Sequence, residues 1–356
     1  MNIYDIAKLA GVSIATVSRV MNGSDRVSEK TRQKVLSIIE EESYTPNIFA
    51  KGLGLHTMHT IGILVPTISD MYMSRAVSYL EEELQEFGYD CILSCSGFEQ
   101  EKKAAHVQLL LSKHIDALIM IGSNYAGEGS RRDTEYIRKA ALQVPVFIIN
   151  GTVKGDNIYC YVSDDKKAVE EAVSSLIESG RRRVLFLTQS DTFSAAQKLE
   201  GYRRALSRHA IPFDDRLVVH VPNHVHGVLS VLLNDVSAEF DSILATTDIV
   251  AVGAVKYAAA RSLRIPEELS VIGYNNTLMA LGCEPELSSI DNHCDTLCKT
   301  VVHHLLAVLA GSGEEPKKLT ISCELMKRGT TDFLIETRHD GFLILDIIFG
   351  TVIFGM

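Results

Sequence analysis

The spacing of apolar residues changes character along the chain. Over residues 3–22, IYDIAKLAGVSIATVSRVMN, it is helical: Ile3, Ile6, Ala7 and Ala10 share one face, and Val17 and Met21 lie four apart on a second segment. Between them, Gly11 tolerates the positive φ that stops a helix, Val12 is expected to be buried, and Ser13 stands where it can cap the second helix. Two short amphipathic helices joined by a tight turn form a helix-turn-helix. A third helix is predicted from about Ser28 to Glu42, with Ser28 as N-cap and Val35, Leu36, Ile38 and Ile39 as the stripe that closes a small core. Tyr44-Thr45-Pro46-Asn47 breaks the pattern, and residues 48–55 make a short segment carrying Gly52 and Gly54.

From Thr60 onward the texture is different. Short, nearly continuous apolar runs at 61–66 (IGILVP), 91–96 (CILSCS), 117–122 (ALIMIG) and 144–150 (VPVFIIN) read as buried parallel strands. They alternate with helical stretches near 72–87, 100–113 and 133–142. A second series follows: strands at 184–188, 217–222, 242–247 and 270–275, with helices at about 165–179, 193–209, 227–235 and 249–263. Two sets of strand-helix alternation predict two doubly wound α/β lobes, in which ligands collect at the carboxyl ends of strands.

A chain of 356 residues suits a small module followed by larger ones, and 46% hydrophobic with 22% charged residues is ordinary for a soluble globular protein. The net charge of −10 argues against a protein that coats nucleic acid non-specifically. Its distribution alters that picture. Residues 1–36 hold Lys8, Arg19, Arg26, Lys30, Arg32 and Lys34 against Asp5, Asp25 and Glu29, so DNA affinity would be local, salt-dependent and strengthened by dimerisation. Seven scattered cysteines and the lack of a leader at the start suggest a reducing cytoplasm. Cys294 and Cys298 beside His293, the pair Cys91 and Cys95, and His224-Val-His226 have spacings that metal ligands can use, but isolated cysteines mostly behave as small buried hydrophobes; no cofactor or metal is expected.

The outer face of the second helix carries Ile14, Ala15, Thr16, Ser18, Arg19 and Asn22, with no acidic residue between Asp5 and Asp25. Such a face suits the major groove, where arginine pairs with guanine and apolar groups meet a thymine methyl. Ser13 and Thr16 lie by the helix N-terminus, which favours a phosphate. The segments DIAKLAGVS, ATVSRVMNG, RVSEKTRQKVLSIIEE and YTPNIFAKGL resemble the N-terminal headpiece of the LacI/GalR family of bacterial transcriptional repressors.

That resemblance runs from residue 2 to about 331. It implies an all-α helix-turn-helix headpiece (1–45), a hinge helix (46–59) and a two-lobed type I periplasmic-binding-protein-like core of doubly wound parallel sheets (60–331). The first lobe would comprise about 60–160 plus 291–322, the second about 161–290 plus 323–331. The implied function is a homodimeric DNA-binding regulator, a repressor of carbohydrate-related genes, that binds a palindromic operator. Ser28 would lie at the DNA, and Leu53, with Asn47 and Ala50 on the same hinge helix, would enter the minor groove, as kinking wedges do. Gly52 is a departure, because a helical glycine costs about 1 kcal/mol relative to alanine.

The family's effector would lie in a cleft between the lobes. The matching polar positions are Ser69, Asp70 and Tyr72 after the first strand, Ser123, Asn124 and Tyr125 after the third, and Lys198, Thr247, Asp248 and Asn275 in the second lobe. Lys198 stands where the family often has arginine, and Asn275 where it has aspartate. An ammonium point charge replaces a planar fork, and a mixed donor and acceptor replaces a pure acceptor. A cleft with Lys198, Thr247 and Asn275 should bind a simple neutral hexose less well; a sugar or glycoside is the expected ligand, while a ligand of different polarity or no small effector stays open. A solute-binding protein is the alternative class, but an exported carrier would begin with a signal peptide rather than a DNA-reading hairpin. No P-loop, G-x-G-x-x-G or local Ser/His/Asp motif points to an enzyme. The final stretch, 332–356, is apolar, follows no heptad and contains Asp346; no role is assigned to it and no membrane span is expected.

Overall fold

The computed structural model describes residues 2–21, 23–43, 57–126, 133–312 and 316–333. Asn22, Asn47, Ala50 and Leu53 therefore lie outside the described residues, as do most of the expected hinge and residues 334–356 of the tail.

The headpiece consists of α1 (Ile3–Ala10), α2 (Ile14–Met21) and α3 (Glu29–Glu41). Asn2 caps α1: its Oδ1 accepts from the Tyr4 and Asp5 amides, and Asp5 Oδ2 accepts from the Asn2 amide in return. Gly11, at φ +65°, ends α1, and Ser13 Oγ accepts from the Thr16 amide at 3.2 Å to start α2. Ile6, Ala7, Ala10, Val17, Val20 and Val35 form the shared core. Two expectations need correcting: Val20 rather than Met21 is the fully buried partner of Val17, and Val12 is only half-buried because it sits at the turn.

The first lobe begins with β1 (Thr60–Val65), α4 (Met71–Glu86), β2 (Asp90–Cys95), α5 (Gln100–Leu111), β3 (Ala117–Ile121), α6 (Glu135–Ala141), β4 (Val146–Ile149) and β5 (Ile158–Ser163). The second contains α7 (Asp165–Glu178), β6 (Val184–Thr188), α8 (Phe193–Arg208), β7 (Val218–His220), α9 (Val225–Asn234), β8 (Ser242–Ala245), α10 (Asp248–Ala260), β9 (Ser270–Tyr274), α11 (Leu278–Leu281) and β10 (Ser288–Asp291). Then α12 (Cys294–Leu309) and β11 (Lys318–Ile321) return to the first lobe, and β12 (Glu324–Met326) ends in the second. Compact units form from the described residues of 1–163, 192–194 and 293–321, and from those of 164–191, 195–292 and 322–333.

Each lobe is built on one six-stranded sheet. The first has the order β11-β5-β4-β3-β1-β2 with every pairing parallel. The second has the order β12-β10-β9-β8-β6-β7, parallel except for antiparallel β12 beside β10. The sequence reading treats the runs at 91–96 and 217–222 as buried strands. They are instead edge strands, β2 and β7, with half their side chains or more in contact with water. The apolar-run signal misses β5, β10, β11, β12 and α12. In β10, Ser288 and Ser289 are fully buried serines with satisfied hydroxyls: Ser288 Oγ bonds Thr331 Oγ1 at 2.7 Å and Ser289 Oγ donates to Asp248 at 2.6 Å. Internal partners of this kind let a polar tetrapeptide sit in a core.

The helices cover the sheets with stripes at helical spacing, as with Tyr72, Ala76, Leu80 and Leu84 on α4. On α12, Cys294, Leu297, Cys298, Val301, Val302 and Leu305 form the buried stripe. Both cysteines are core residues, and Cys298 Sγ points at the Ala76 carbonyl of α4 at 3.6 Å. His224 caps α9, its Nδ1 accepting from the Gly227 amide. Asp332 and Phe333, assigned to the tail by sequence, are anchored in the second lobe: Asp332 pairs at 2.9 Å with buried Arg181, and Phe333 packs on that lobe's core. Among the described residues no helix is long and apolar enough to cross a membrane.

Candidate functional site

In the headpiece, α2 turns Val17 and Val20 inward, which puts Ile14, Ala15 and Arg19 on the exposed side and leaves Thr16 and Ser18 at its margins. Ile14 is 39% exposed. The Thr16 hydroxyl is held by Ser13 Oγ at 2.9 Å, and Ser28 Oγ by Thr31 Oγ1 at the same distance, so these hydroxyls lie at the first turns of α2 and α3, where backbone amides point outward. Arg32 is committed inside the headpiece, donating to the Ser24 carbonyl at 2.8 Å and pairing with Glu29. Arg19, Arg26, Lys8, Lys30 and Lys34 stay exposed.

In the first lobe, the carboxyl ends of β1 and β3 carry the expected polar loops. Ser69 is exposed, its amide bonded to Thr67 Oγ1; Asp70 is the N-cap of α4, with Oδ1 accepting from the Met73 amide at 3.0 Å. Tyr72 is buried, its hydroxyl accepting from Asn150 Nδ2 at 2.6 Å. Ser123 and Asn124 are half-buried in a single turn of 3-10 helix, whose Asn124 carbonyl takes a hydrogen bond from Lys103 Nζ at 2.9 Å. Burial pushes the Lys103 ammonium below its ordinary value, with Asp133 opposing. Tyr125 does not belong with them. It is fully buried in the first-lobe core, with its hydroxyl 2.8 Å from Ser96 Oγ. Sequence reading passed over Asn150, which directly follows β4 at φ +61°; its position after an apolar run is the signal that would have found it.

In the second lobe, Lys198 is 6% exposed. Its ammonium donates to the Thr246 carbonyl at 3.0 Å and lies 3.4 Å above the centre of the Tyr274 ring. It therefore links the ends of β8 and β9. Beneath that ring, the Tyr274 hydroxyl donates to buried Asp165 at 2.5 Å. Thr247 precedes α10 and donates to Gln189 Oε1 at 3.4 Å. Asp248 is 1% exposed, with its carboxylate accepting from the Thr277 amide, the Thr277 hydroxyl and the Ser289 hydroxyl at 2.6, 2.8 and 2.6 Å. Those bonds fix the loop after β9 from inside. Gly273 is what lets them form, since a Cβ there would stand 2.4 Å from Asp248 Oδ1. Asn275 and Asn276 follow at φ +91° and +45°, and Asn275 Oδ1 accepts from Asn292 Nδ2 at 3.1 Å.

A family model described as bacterial regulatory proteins of the lacI family matches residues 2–47, and one described as periplasmic binding proteins and the sugar binding domain of the LacI family matches residues 58–329. The chain belongs to the LacI family. It is a DNA-binding transcriptional regulator, with a helix-turn-helix headpiece before a periplasmic-binding-protein-like core. An HTH-type transcriptional regulator of Lachnoclostridium phytofermentans is 46% identical over 336 residues, spanning 94% of this chain and all of that one. Catabolite control protein A of Priestia megaterium is 32% identical over 296 residues, 82% of this chain and 87% of its own. In fold, the chain is similar to the lac repressor dimer solved with operator and the anti-inducer ONPF, with a TM-score of 0.82 at 24% identity over 93% of this chain and 99% of that one.

Proposed function

We propose that this LacI-family member is a cytoplasmic, homodimeric repressor of carbohydrate-related genes, acting by binding rather than catalysis at a palindromic operator. The observation that carries the reading is the solvent face of α2, with exposed Ile14, Ala15 and Arg19 and no acid. Arg19 reads guanine, Ile14 and Ala15 meet thymine methyls, and Ser18 and Asn22 flank them. Ser13, Thr16 and Ser28 serve backbone phosphates, and Leu53 with Asn47 and Ala50 forms the minor-groove wedge. The headpiece is assigned to 1–45, the hinge to 46–59 and the core to 60–331.

The core takes a sugar or glycoside. Ser69, Ser123 and Asn124 in the first lobe, and Thr247 and Asn275 in the second, are assigned to contact it, with Asp70, Tyr72, Lys198 and Asp248 positioning their loops. A related solved regulator, CelR, was crystallised with cellobiose, which agrees with a sugar as ligand. The test is selection of binding sites from random oligonucleotides at low salt, followed by Arg19→Ala. The native protein should select an inverted repeat, and the variant should lose that preference while keeping the native circular dichroism spectrum. A variant that selects the same repeat refutes the assignment.

A further inference from the structure

We propose that Asp116 is a positioning residue for DNA binding: its carboxylate fixes residues 57–60, where the chain coming from the headpiece enters the first lobe, and operator affinity depends on that grip. This rests on the operator reading above.

Residues 44–56 join the headpiece to Thr57, and the residues after it lead into β1. Asp116, directly before β3, is half-buried, and its carboxylate accepts from the Thr57 hydroxyl at 2.9 Å, the Met58 amide at 2.9 Å and the Thr60 amide at 3.0 Å. The Thr57 hydroxyl oxygen accepts in turn from the His59 amide at 3.1 Å, and the Thr60 hydroxyl donates to the Met58 carbonyl at 3.0 Å. Main-chain bonds close the knot: the Asp116 amide donates to the Thr60 carbonyl and the Asp90 amide to the His59 carbonyl, both at 2.8 Å. A carboxylate suits this task because it only accepts, and it takes several donors at once in charge-assisted bonds.

His59 shows what the grip imposes. It is exposed and lies at φ +48°, a left-handed conformation that a residue with a side chain holds where its neighbours enforce it. Asp116 holds the amides on either side of it, and the His59 ring lies 5.0 Å from the Tyr89 ring, centre to centre. The chain therefore enters the amino edge of the sheet from one fixed direction. Thr57, Met58 and Thr60 are only half-buried, so polar bonds rather than apolar burial hold the stretch. Without the carboxylate, residues 57–60 are free to move, and each must be ordered again when a headpiece is held on DNA. The freed length also lowers the effective concentration of the second headpiece of a dimer once the first has bound.

The experiment uses the full-length protein and the inverted repeat it selects from random oligonucleotides. Fluorescence anisotropy gives operator affinity, and amide hydrogen exchange reports on residues 57–60. The variants are Asp116→Asn and Ile137→Ala, a cavity at a fully buried position of α6 in the same lobe that serves as the destabilised control. Asp116→Asn puts an NH2 group where an acceptor is needed. It should speed exchange at the Met58 and Thr60 amides and weaken operator binding by about ten-fold or more, with a native circular dichroism spectrum. Ile137→Ala should melt below native and keep native operator affinity. If the asparagine variant does not fold, Thr57→Val decides: it takes the hydroxyl from Asp116 and from the His59 amide, and should speed exchange at His59 and weaken binding about three-fold. Native operator affinity in the deciding variant, no rise in exchange at the amides it releases, or an equal loss in Ile137→Ala overturns the proposal. A native protein that selects no inverted repeat takes down the operator reading and this one with it, whereas selection followed by undiminished binding in the deciding variant sinks this one alone.

Discussion

Asp248→Ala tests whether this aspartate is scaffold beneath the ligand edge. The native carboxylate accepts three hydrogen bonds, from the Thr277 amide, the Thr277 hydroxyl and the Ser289 hydroxyl, in a site 1% exposed. Bonds to a charged acceptor contribute about 1.5–3 kcal/mol each. For the charged form burial outweighs those bonds, so the loss on truncation is that of donors left unpaired in a dry site, about 1–3 kcal/mol each, part of it offset by removing the buried carboxylate. The net expectation is destabilisation by about 3 kcal/mol, which lowers the melting temperature by about 6–12 °C for a unit of roughly 150 residues.

Scanning calorimetry of native and variant proteins measures this directly. A variant melting within about 2 °C of native would refute the accounting. Titration gives an independent check. Burial pushes the Asp248 carboxyl above its ordinary value, against its hydrogen bonds to Ser289 and Thr277. The folded state then holds a proton that the unfolded chain has released. The resulting stability is fully present below the ordinary carboxylate range and is lost as pH rises through the raised value. The alanine variant should lack that slope, and an identical pH profile in both proteins would count against the assignment.

Two further outcomes follow from close packing and buried charge. Gly201→Ala places a Cβ 2.2 Å from the Lys166 carbonyl of α7 and should destabilise by about 1–2 kcal/mol, overpacking outweighing alanine's helix preference; a urea midpoint at or above native would contradict this. Tyr274→Phe keeps the ring beneath Lys198 but deprives buried Asp165 of its 2.5 Å hydroxyl donor. A loss of about 2 kcal/mol in urea unfolding is expected, and an unchanged midpoint would show that this bond contributes nothing net.

Much of the architecture was legible in the chain because it rests on local periodicity. The stripes of α1 and α2, Gly11 between them and the apolar runs of β1, β3, β4, β6, β8 and β9 are near-neighbour patterns that backbone geometry reads directly. The polar strand β10 and the later α12 were not legible, since what buries Ser288 and Ser289 is a set of partners some forty residues away. The same holds for the candidate site. Lys198, Asp248 and Asn275 could be named from sequence as positions. That Lys198 lies on Tyr274, that Asp248 is enclosed by Thr277 and Ser289, and that Asn292 leaves an acceptor unsatisfied are consequences of long-range contact.

Sequence alone thus determined the helix-turn-helix, its outward chemistry and the class of both lobes, because these depend on which faces of local elements are apolar. Tertiary structure decided which polar groups are used up inside the fold and which are left for a ligand, because hydrogen-bond partners and desolvation are set by residues that meet only when the chain has folded.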